Sequence, residues 1–243
     1  MNLRSLASSF MIAVVVLFDA GCKVVPARPE PAAQRPDQIS NFTALYQQNC
    51  TACHGEQGKN GAAISLANPV YLALAGTDII QKATANGVPG TLMPAFAKSQ
   101  GGMLTDQQIA ILAQGVESAW GKPATLQGQS APPYAGSSSG DPTKGQQAFT
   151  TFCASCHGND GTGLKRKENS TGSLVDPAYL ALVSDQGLRS LIIAGQPDYG
   201  MPDWRSDMTG ASSRPMTDKE ITDIVAWLAS HRVAAPGQPY AHP

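Results

Sequence analysis

The sequence contains no apolar run long enough to cross a lipid bilayer. Its longest run, residues 10–18, has nine residues, whereas a membrane-spanning helix needs about 20. Arg4 lies before this run, and a positive charge followed by a short apolar segment is typical of a secretion signal. Residues 1–21 are therefore predicted to be a signal peptide, which places the mature protein outside the cytoplasm.

Charged residues are also few, and neither sign dominates. They make up 14% of the chain, and the formal net charge is −1. This balance argues against a nucleic-acid partner, because binding to nucleic acid depends on a concentration of positive charge.

Cys22 follows the apolar run in the segment Asp19-Ala20-Gly21-Cys22. Small residues before a cysteine resemble a bacterial lipoprotein processing site, in which Asp19 takes the place of the usual aliphatic residue. We predict lipidation of Cys22; ordinary cleavage nearby and an uncleaved anchor are the alternatives. Residues 22–39 are rich in Pro and Ala without apolar periodicity, which predicts an extended tether.

The other four cysteines and two of the four histidines fall in two motifs. Cys50-Thr51-Ala52-Cys53-His54 recurs as Cys153-Ala154-Ser155-Cys156-His157. Cys-x-x-Cys-His is the pattern of covalent c-type haem attachment, because two thiols three residues apart can reach both vinyl groups of a porphyrin while the His ligates iron. Two covalently bound haem c groups are therefore predicted, with thioether links at Cys50, Cys53, Cys153 and Cys156 and proximal iron ligands at His54 and His157.

A Cys-x-x-Cys pair can also be half of a zinc site or a redox-active dithiol. Zinc takes four ligands, and His231 is the only further Cys or His within reach of either motif. A thioredoxin-like dithiol would need a strand before the motif and an α/β pattern around it, and the sequence shows neither. Haem is therefore the favoured interpretation.

The two motifs belong to two copies of one domain, because the segments that follow them also correspond. Residues 68–74 match residues 176–182, and a Met-Pro pair follows in each copy, at Met93 and Met201. The segment between the copies is dense in Gly, Pro and Ser, which predicts a flexible linker. The predicted boundaries are 1–21 for the signal peptide, 22–39 for the tether, 40–120 for the first domain, 121–140 for the linker, 141–233 for the second domain and 234–243 for the tail.

Each copy is predicted to be helical, with no convincing alternating strand. Asx residues before Pro open helices at Asn68, Asp141 and Asp176. The last helix of each copy begins with a capping box, Thr105-x-x-Gln108 or Thr217-x-x-Glu220. Apolar residues follow at helical spacing, namely Ile109, Leu112, Ala113 and Val116 in the first copy and Ile221, Ile224, Val225 and Leu228 in the second.

Both copies resemble class I cytochrome c domains, and the whole chain resembles a di-haem c-type cytochrome. The resemblance covers about residues 40–120 and 141–233 and depends on Cys-x-x-Cys-His-Gly together with the later Met-Pro. It implies an all-α fold of two tandem domains joined by the linker, each with a Met thioether as the second axial ligand. Met93 and Met201 are the candidates, since the following Pro keeps each Met out of a helix. The competing methionines are Met103, Met208 and Met216.

The resemblance also implies details of packing. In this family the first and last helices cross closely, with a small residue against an aromatic one. Aligning the two copies predicts that Phe42 packs on Gly115 and that Gly145 packs on Trp227. The small and large residues are thus exchanged between the copies, while the volume at each crossing is kept.

A proximal histidine normally donates its other ring N–H to a nearby acceptor. Many domains of this family use the carbonyl of a Pro after the motif, but the matching stretches here, Ile64-Ser65-Leu66 and Gly172-Ser173-Leu174, contain no Pro. Another backbone carbonyl is expected to accept the proton. His231 ends the last helix and His242 lies in a Pro-rich tail, and neither is expected to ligate iron.

Two haems with both axial positions filled leave no open site for a substrate, so the resemblance implies an electron carrier and not an enzyme. It is expected to perform outer-sphere electron transfer between redox protein partners, with no small-molecule substrate. The expected location is the periplasm or the outer face of a bacterial membrane, where a lipid on Cys22 would hold it. The alternatives are a cytochrome subunit of a larger respiratory or dehydrogenase complex and a di-haem peroxidase, which would need a spare His that neither domain supplies.

Overall fold

The structure, a computed structural model, describes residues 34–136, 138–167, 170–205 and 214–233. Within these ranges the regular structure is helical, and β-pairing is limited to two isolated bridges. The all-α prediction is confirmed. The helices are α1 (Phe42–Asn49), α2 (Thr51–His54), α3 (Pro69–Asn86), α4 (Asp106–Trp120), α5 (Pro142–Phe152), α6 (Ala154–His157), α7 (Pro177–Leu182), α8 (Asp185–Ala194) and α9 (Asp218–Ala229).

The helices begin at the capping residues that the sequence indicates. Asn68, Asp141 and Asp176 each accept hydrogen bonds from two backbone N–H groups in the first turn of α3, α5 and α7. Both predicted capping boxes form, at the starts of α4 and α9. These side chains satisfy N–H groups that a helix leaves without internal partners.

The two domains differ in the helical segment that lies just before the Met loop. Helix α3 is kinked at Gly76, where φ is 67° and ψ is 168°. At the matching place in the second domain the helix breaks completely, and Ser184 caps the start of α8. One kinked helix in the first domain therefore corresponds to two separate helices, α7 and α8, in the second.

The first and last helices of each domain cross as predicted. Helix α1 contacts α4, and α5 contacts α9. A Cβ atom on Gly115 would overlap the ring of Phe42, and one on Gly145 would lie 2.8 Å from the Cβ of Trp227. Both predicted pairs are confirmed. The same close approach brings the Trp227 ring within 4.4 Å of the Phe149 ring.

The predicted apolar faces of α4 and α9 form the centre of each core. All eight of their residues are at most 8% exposed. In the first domain Trp120, at the end of α4, adds an aromatic cluster that the sequence analysis did not predict. Its ring lies 5.9 Å from that of Phe42 and 5.1 Å from that of Tyr46.

Residues 133 and 134 of the linker pack against the second domain. Arg189 of α8 is 4% exposed and donates hydrogen bonds to the carbonyls of Pro133 and Tyr134 at 2.8–3.1 Å. It also forms an ion pair with Asp218. Gln186 adds a bond to the carbonyl of Tyr134 at 2.8 Å. Composition predicted a flexible linker, but these donors hold residues 133 and 134 in place.

The two domains belong to one unit that begins at Pro36. Within it α3 packs against α8, and the side chains of Tyr71 in α3 and Tyr134 in the linker lie close enough to influence each other's pKa. The end of the predicted tether is also held, because Gln108 donates to the carbonyls of Pro36 and Ile39 at 2.8 and 3.0 Å. The first domain thus packs on the second domain, the linker and the end of the tether.

Several predictions concern residues outside the described part of the chain. These are the signal peptide at 1–21, Cys22 with most of the tether, the tail at 234–243 with His242, and the competing Met208. In the part that the structure does describe, none of the helices combines the length and the apolar character that crossing a membrane requires.

Candidate haem sites

Each Cys-x-x-Cys-His motif lies on a short helix of its own. The backbone turns at Cys50, where φ is −118° and ψ is −32°, so that α1 ends before the motif and α2 carries it. The second domain repeats this turn at Cys153. In neither domain is the motif a continuation of the first helix. Within the motif, the N–H groups of Cys53 and His54 bond to the carbonyl of Cys50, so these residues share one helical turn.

The imidazole of His54 is oriented by the backbone. Its Nδ1 lies 2.9 Å from the carbonyl oxygen of Ile64, so a backbone carbonyl takes the proton, as expected, although the sequence did not indicate which one. A carbonyl only accepts, so Nδ1 bears the proton and Nε2 is the nitrogen that can ligate iron. Burial lowers the pKa of His54 more than the bond to Ile64 raises it, which favours the neutral imidazole that binds metals.

The second proximal histidine has a different environment. Burial lowers the pKa of His157, which favours the neutral form of this ring as well. Its buried Nδ1 has no hydrogen-bond partner among the residues that the structure describes. Residues 172–174 therefore do not orient this ring in the way that Ile64 orients His54. The neighbouring Thr171 instead donates its hydroxyl proton to the carbonyl of Cys156.

The first thiol of each motif has a raised pKa. Burial, with a smaller effect of Cys53, raises the pKa of Cys50 to about 11. Burial and the neighbouring Cys156 raise the pKa of Cys153 to about 12. A redox-active dithiol requires a lowered thiol pKa, so these values argue against that alternative. Zinc needs a tetrahedral set of ligands, and within the described ranges no three His, Cys, Asp or Glu residues are grouped to hold a metal ion.

Met93 and Met201 lie in matching loops that follow α3 and α8. Each of these helices ends at a glycine with positive φ, +71° at Gly87 and +67° at Gly195. In each loop the residue after the glycine donates its backbone N–H to the carbonyl of the Met, at 3.1 Å in the first domain and 2.9 Å in the second. Both methionines are half-buried. Their role as iron ligands stays a prediction.

The two capping glycines also permit a close backbone approach. A Cβ atom on Gly87 would lie 2.8 Å from the carbonyl oxygen of Met93, and one on Gly195 would lie 2.5 Å from the carbonyl of Pro202. Any side chain at these positions would push the loop away from the helix end. Glycine therefore fixes the path of the backbone at both candidate ligands.

The competing ligands are less well placed. Met103 is 80% exposed, and Met216 lies just before the cap of α9, where its N–H donates to the carbonyl of Trp204 at 3.0 Å. His231 is engaged elsewhere, since its Nδ1 lies 2.9 Å from the carbonyl of Trp227 and its ring packs at 4.9 Å on the indole. The arrangement favours Met93 and Met201.

Two known protein families match this chain, one over each copy of the repeated domain. Residues 37–114 match the family described as cytochrome c oxidase, cbb3-type, subunit III, and residues 142–232 match the family described as cytochrome c. The chain is a tandem of two c-type cytochrome domains. The predicted family, two-domain fold, two covalent haem c groups and electron-carrier class are thereby confirmed.

Similar curated proteins are longer than the segments that match this chain. The cbb3-type cytochrome c oxidase subunit FixPc of Rhizobium leguminosarum bv. viciae is 25% identical over 205 residues, which are 80% of this chain and 64% of the relative. Subunit CcoP of Azospirillum sp. (strain B510) is 31% identical over 131 residues, 49% of this chain and 39% of the relative. Subunit CcoP of Rhodobacter capsulatus is 28% identical over 197 residues, 77% and 60% of the two chains. This chain therefore spans less than two thirds of the length of these relatives.

Sequence reasoning missed the residue that connects the two cytochrome c domains and the residue that holds the linker against the second domain. Asn68 was identified only as a helix cap, and Arg189 was not singled out. Asn68 carried one signal, because the repeat places Asp176 opposite it. A difference between two matching positions indicates a role that only one domain has.

Proposed function

We propose that this chain is a di-haem electron carrier that relays electrons between two redox proteins outside the cytoplasm. The observation that carries the proposal is that one arrangement occurs twice: a neutral imidazole on a one-turn helix and a Met loop anchored by a glycine. Cys50, Cys53, Cys153 and Cys156 would attach the haems, and His54 with Met93 and His157 with Met201 would fill the axial positions.

A haem with His and Met ligands supplies reversible one-electron chemistry and has no open position for a substrate. The residues of the chain bind and position this group. The bond between His54 and Ile64 fixes one ring, and the glycine-anchored loops hold both methionines at the ends of their helices. Because the helix crossings at Gly115 and Gly145 have no spare volume, the surrounding core can move little between the oxidised and reduced states.

The donor would be a membrane or periplasmic protein and the acceptor an oxidase or reductase. The names of the relatives, which are oxidase subunits, support partners in a respiratory chain. The signal-like first residues and the small residues before Cys22 support export and a lipid anchor at the membrane surface.

The haem assignment is tested in protein matured with its haems. Replacing Cys50 and Cys53 with Ala should remove one of two haems per chain, and replacing Cys153 and Cys156 should remove the other. Met93→Ala and Met201→Ala should each remove half of the Fe(III)–Met charge-transfer band and leave the haem content unchanged. A band that survives its own substitution would show that the Met is not the ligand.

The electron-carrier role is tested by rapid mixing. The reduced protein should be oxidised by membranes that contain a respiratory oxidase, and added hydrogen peroxide should not be turned over. Turnover of peroxide would favour a di-haem peroxidase instead.

A cytochrome subunit of a larger respiratory complex is a second candidate, and the names of the three relatives favour it. Detergent-solubilised membranes from the native host, separated on a native gel and stained for haem, distinguish the two. A free carrier migrates near the mass of the chain, 25.3 kDa, whereas a subunit migrates with its complex.

A further inference from the structure

The side chain of Asn68 connects the two domains, and both of its polar atoms are hydrogen-bonded. It is 6% exposed. Its Oδ1 accepts bonds from the first turn of its own helix, from Val70 N at 2.9 Å and Tyr71 N at 3.3 Å. Its Nδ2 donates across the domain boundary, to the carbonyls of Ala194 at 3.1 Å and Gly195 at 3.0 Å. An amide is required for this arrangement, because one end accepts while the other donates.

The two carbonyls that Asn68 reaches lie at the base of the Met201 loop. Helix α8 ends at Ala194, and carbonyls at a helix C-terminus have no partner within the helix. From Gly195 the chain turns directly into the loop, where Gln196 and Met201 exchange two backbone hydrogen bonds of 2.9 and 3.1 Å. Asn68 therefore satisfies the last groups of α8 at the point where the loop begins.

The rest of the loop is not packed tightly against the first domain. A cleft of about 320 Å³ lies between them, lined by Asn68, Pro69 and Val70 on one side and by Ala194, Met201 and Pro202 on the other. Since this space separates much of the loop from α3, the two bonds from Asn68 are a direct tie between the first domain and the base of the loop.

We propose that Asn68 of the first domain is a positioning residue for the Met201 loop, so that the first domain stabilises the distal ligand of the second haem. The proposal rests on ligation by Met201, which is part of the proposed function. The matching residue of the second domain does not make an equivalent connection to the first domain. Asp176, the matching residue of the second domain, caps α7 in the same way but is exposed, and a carboxylate has no proton to donate.

The repeat itself supplies the test variants. Asn68→Asp keeps the cap of α3 but places a carboxylate against two carbonyl oxygens. Asn68→Ser keeps a cap acceptor without adding charge, since Asn, Asp and Ser are about equally good caps. Asp176→Asn is the matched control, because it makes the same exchange in the domain that has no tie.

The experiment is a cyanide titration of the ferric protein carrying both haems, because cyanide must displace the distal Met. The two haems are followed by their separate paramagnetically shifted methyl signals in proton NMR, assigned with Met93→Ala and Met201→Ala. Asn68→Asp should raise the cyanide affinity of the second haem by about tenfold, the effect of losing hydrogen bonds to two buried carbonyls. Asn68→Ser should raise it less, and the first haem should be unchanged in both variants.

Wild-type cyanide affinity at the second haem in both Asn68 variants would overturn the proposal. An equal change at both haems, or the same change in Asp176→Asn, would also overturn it, because the effect would then not pass through the tie. Failure of the proposed function gives a different result: Met201→Ala itself would leave cyanide binding at the second haem unchanged.

Discussion

At the two candidate Met ligands, single glycines decide whether the loop can reach its position. Gly87 and Gly195 combine a positive φ with a backbone contact that leaves no room for a Cβ atom. Gly90, in the first of these loops, has a similar φ of +74° but no atom within 4 Å of the position of a Cβ. The pair Gly87 and Gly90 therefore separates the cost of the dihedral angle from the cost of the contact.

We predict that Gly87→Ala is more disruptive than Gly90→Ala. Gly90→Ala should cost about 1–2 kcal/mol, the penalty of a left-handed alanine. Gly87→Ala should cost about 1–3 kcal/mol more, because overpacking against the backbone of Met93 adds to it. Denaturant unfolding of the haem-loaded protein measures the loss of folding free energy in each variant. The Fe(III)–Met charge-transfer band should weaken only in Gly87→Ala. Equal effects of the two substitutions would show that the contact has no role.

For the two motif histidines, the sequence predicts the role of iron ligand but not the hydrogen-bond partner of the ring. The motif predicts both proximal ligands, but it does not say which carbonyl orients each ring. Ile64 takes that role for His54, while the buried Nδ1 of His157 has no partner in the described part of the chain. The acceptor belongs to a loop whose path is set by tertiary packing, so the motif could not identify it.

At the scale of helices, the crossings at Gly115 and Gly145 are tight for different reasons. A Cβ on Gly115 would overlap a side chain, the half-buried ring of Phe42, whereas a Cβ on Gly145 would overlap the backbone carbonyl of Asp223. A ring can move aside, but a carbonyl in the middle of a helix cannot move without its helix.

Gly145→Ala is accordingly expected to destabilise the protein more than Gly115→Ala. Separation of α5 from α9 should cost about 1–3 kcal/mol, whereas Phe42 can shift at lower cost. Adding Phe42→Leu to Gly115→Ala should recover part of the loss, because it removes the overlapping ring atoms. Thermal unfolding of the single and double variants measures these differences. A double variant less stable than both single variants would contradict the proposed packing.

The capping box of α9 contains a titrating group, whereas that of α4 does not. Hydrogen bonds from Arg214, followed by those from Thr217, hold the pKa of Glu220 at about 2, below its ordinary value of 4.5. A carboxyl whose pKa is lower in the folded state stabilises the fold above its unfolded pKa. This contribution is therefore present above pH 4.5 and is lost as the pH falls toward about 2.

Glu220→Gln should remove this pH dependence. The amide oxygen can still accept the bond from Thr217 N, as Gln108 does at the matching cap of α4, but it carries no charge for Arg214. We expect the difference in melting temperature between wild type and variant to shrink between pH 4.5 and about 2. A difference that stays constant over this range would show that the ion pair does not contribute.

At the scale of the whole molecule, a buried arginine fixes the linker. Arg189 is 4% exposed and supplies donors to the carbonyls of Pro133 and Tyr134 and to Asp218. Pro133 is exposed, and Tyr134 and Asp218 are half-buried. Removing Arg189 therefore costs about the net value of its hydrogen bonds to these three residues.

We predict that Arg189→Met destabilises the protein by about 3 kcal/mol, roughly 1 kcal/mol for each of the three residues that Arg189 bonds to, and exposes the linker to proteolysis. Denaturant unfolding gives the first quantity, and the rate of cleavage within residues 121–140 gives the second. The control is Lys144→Met, which removes an exposed ion pair with Asp141 of 3.9 Å and should change stability by less than about 0.5 kcal/mol. Cleavage of the linker at the wild-type rate would contradict the role of Arg189.

Local patterns in the sequence were enough to predict the haem motifs, the helix starts and the duplicated domain. The reason is physical: a Cys-x-x-Cys-His motif acts within one helical turn, and a cap acts within three residues. The exchanged pairs at the crossings were also predictable, because comparing two copies of one domain substitutes for knowledge of the contacts.

Only the tertiary structure shows how the two domains are joined. The tie from Asn68 spans 126 residues of sequence to Ala194, and the bond from Arg189 to Pro133 spans 56. Such contacts depend on how finished helices pack, and neither residue has a local pattern that distinguishes it from an ordinary cap or a surface charge. The sequence thus determined the chemistry of each domain, while packing across the domain boundary decided how the linker is held and what lies beside the Met201 loop.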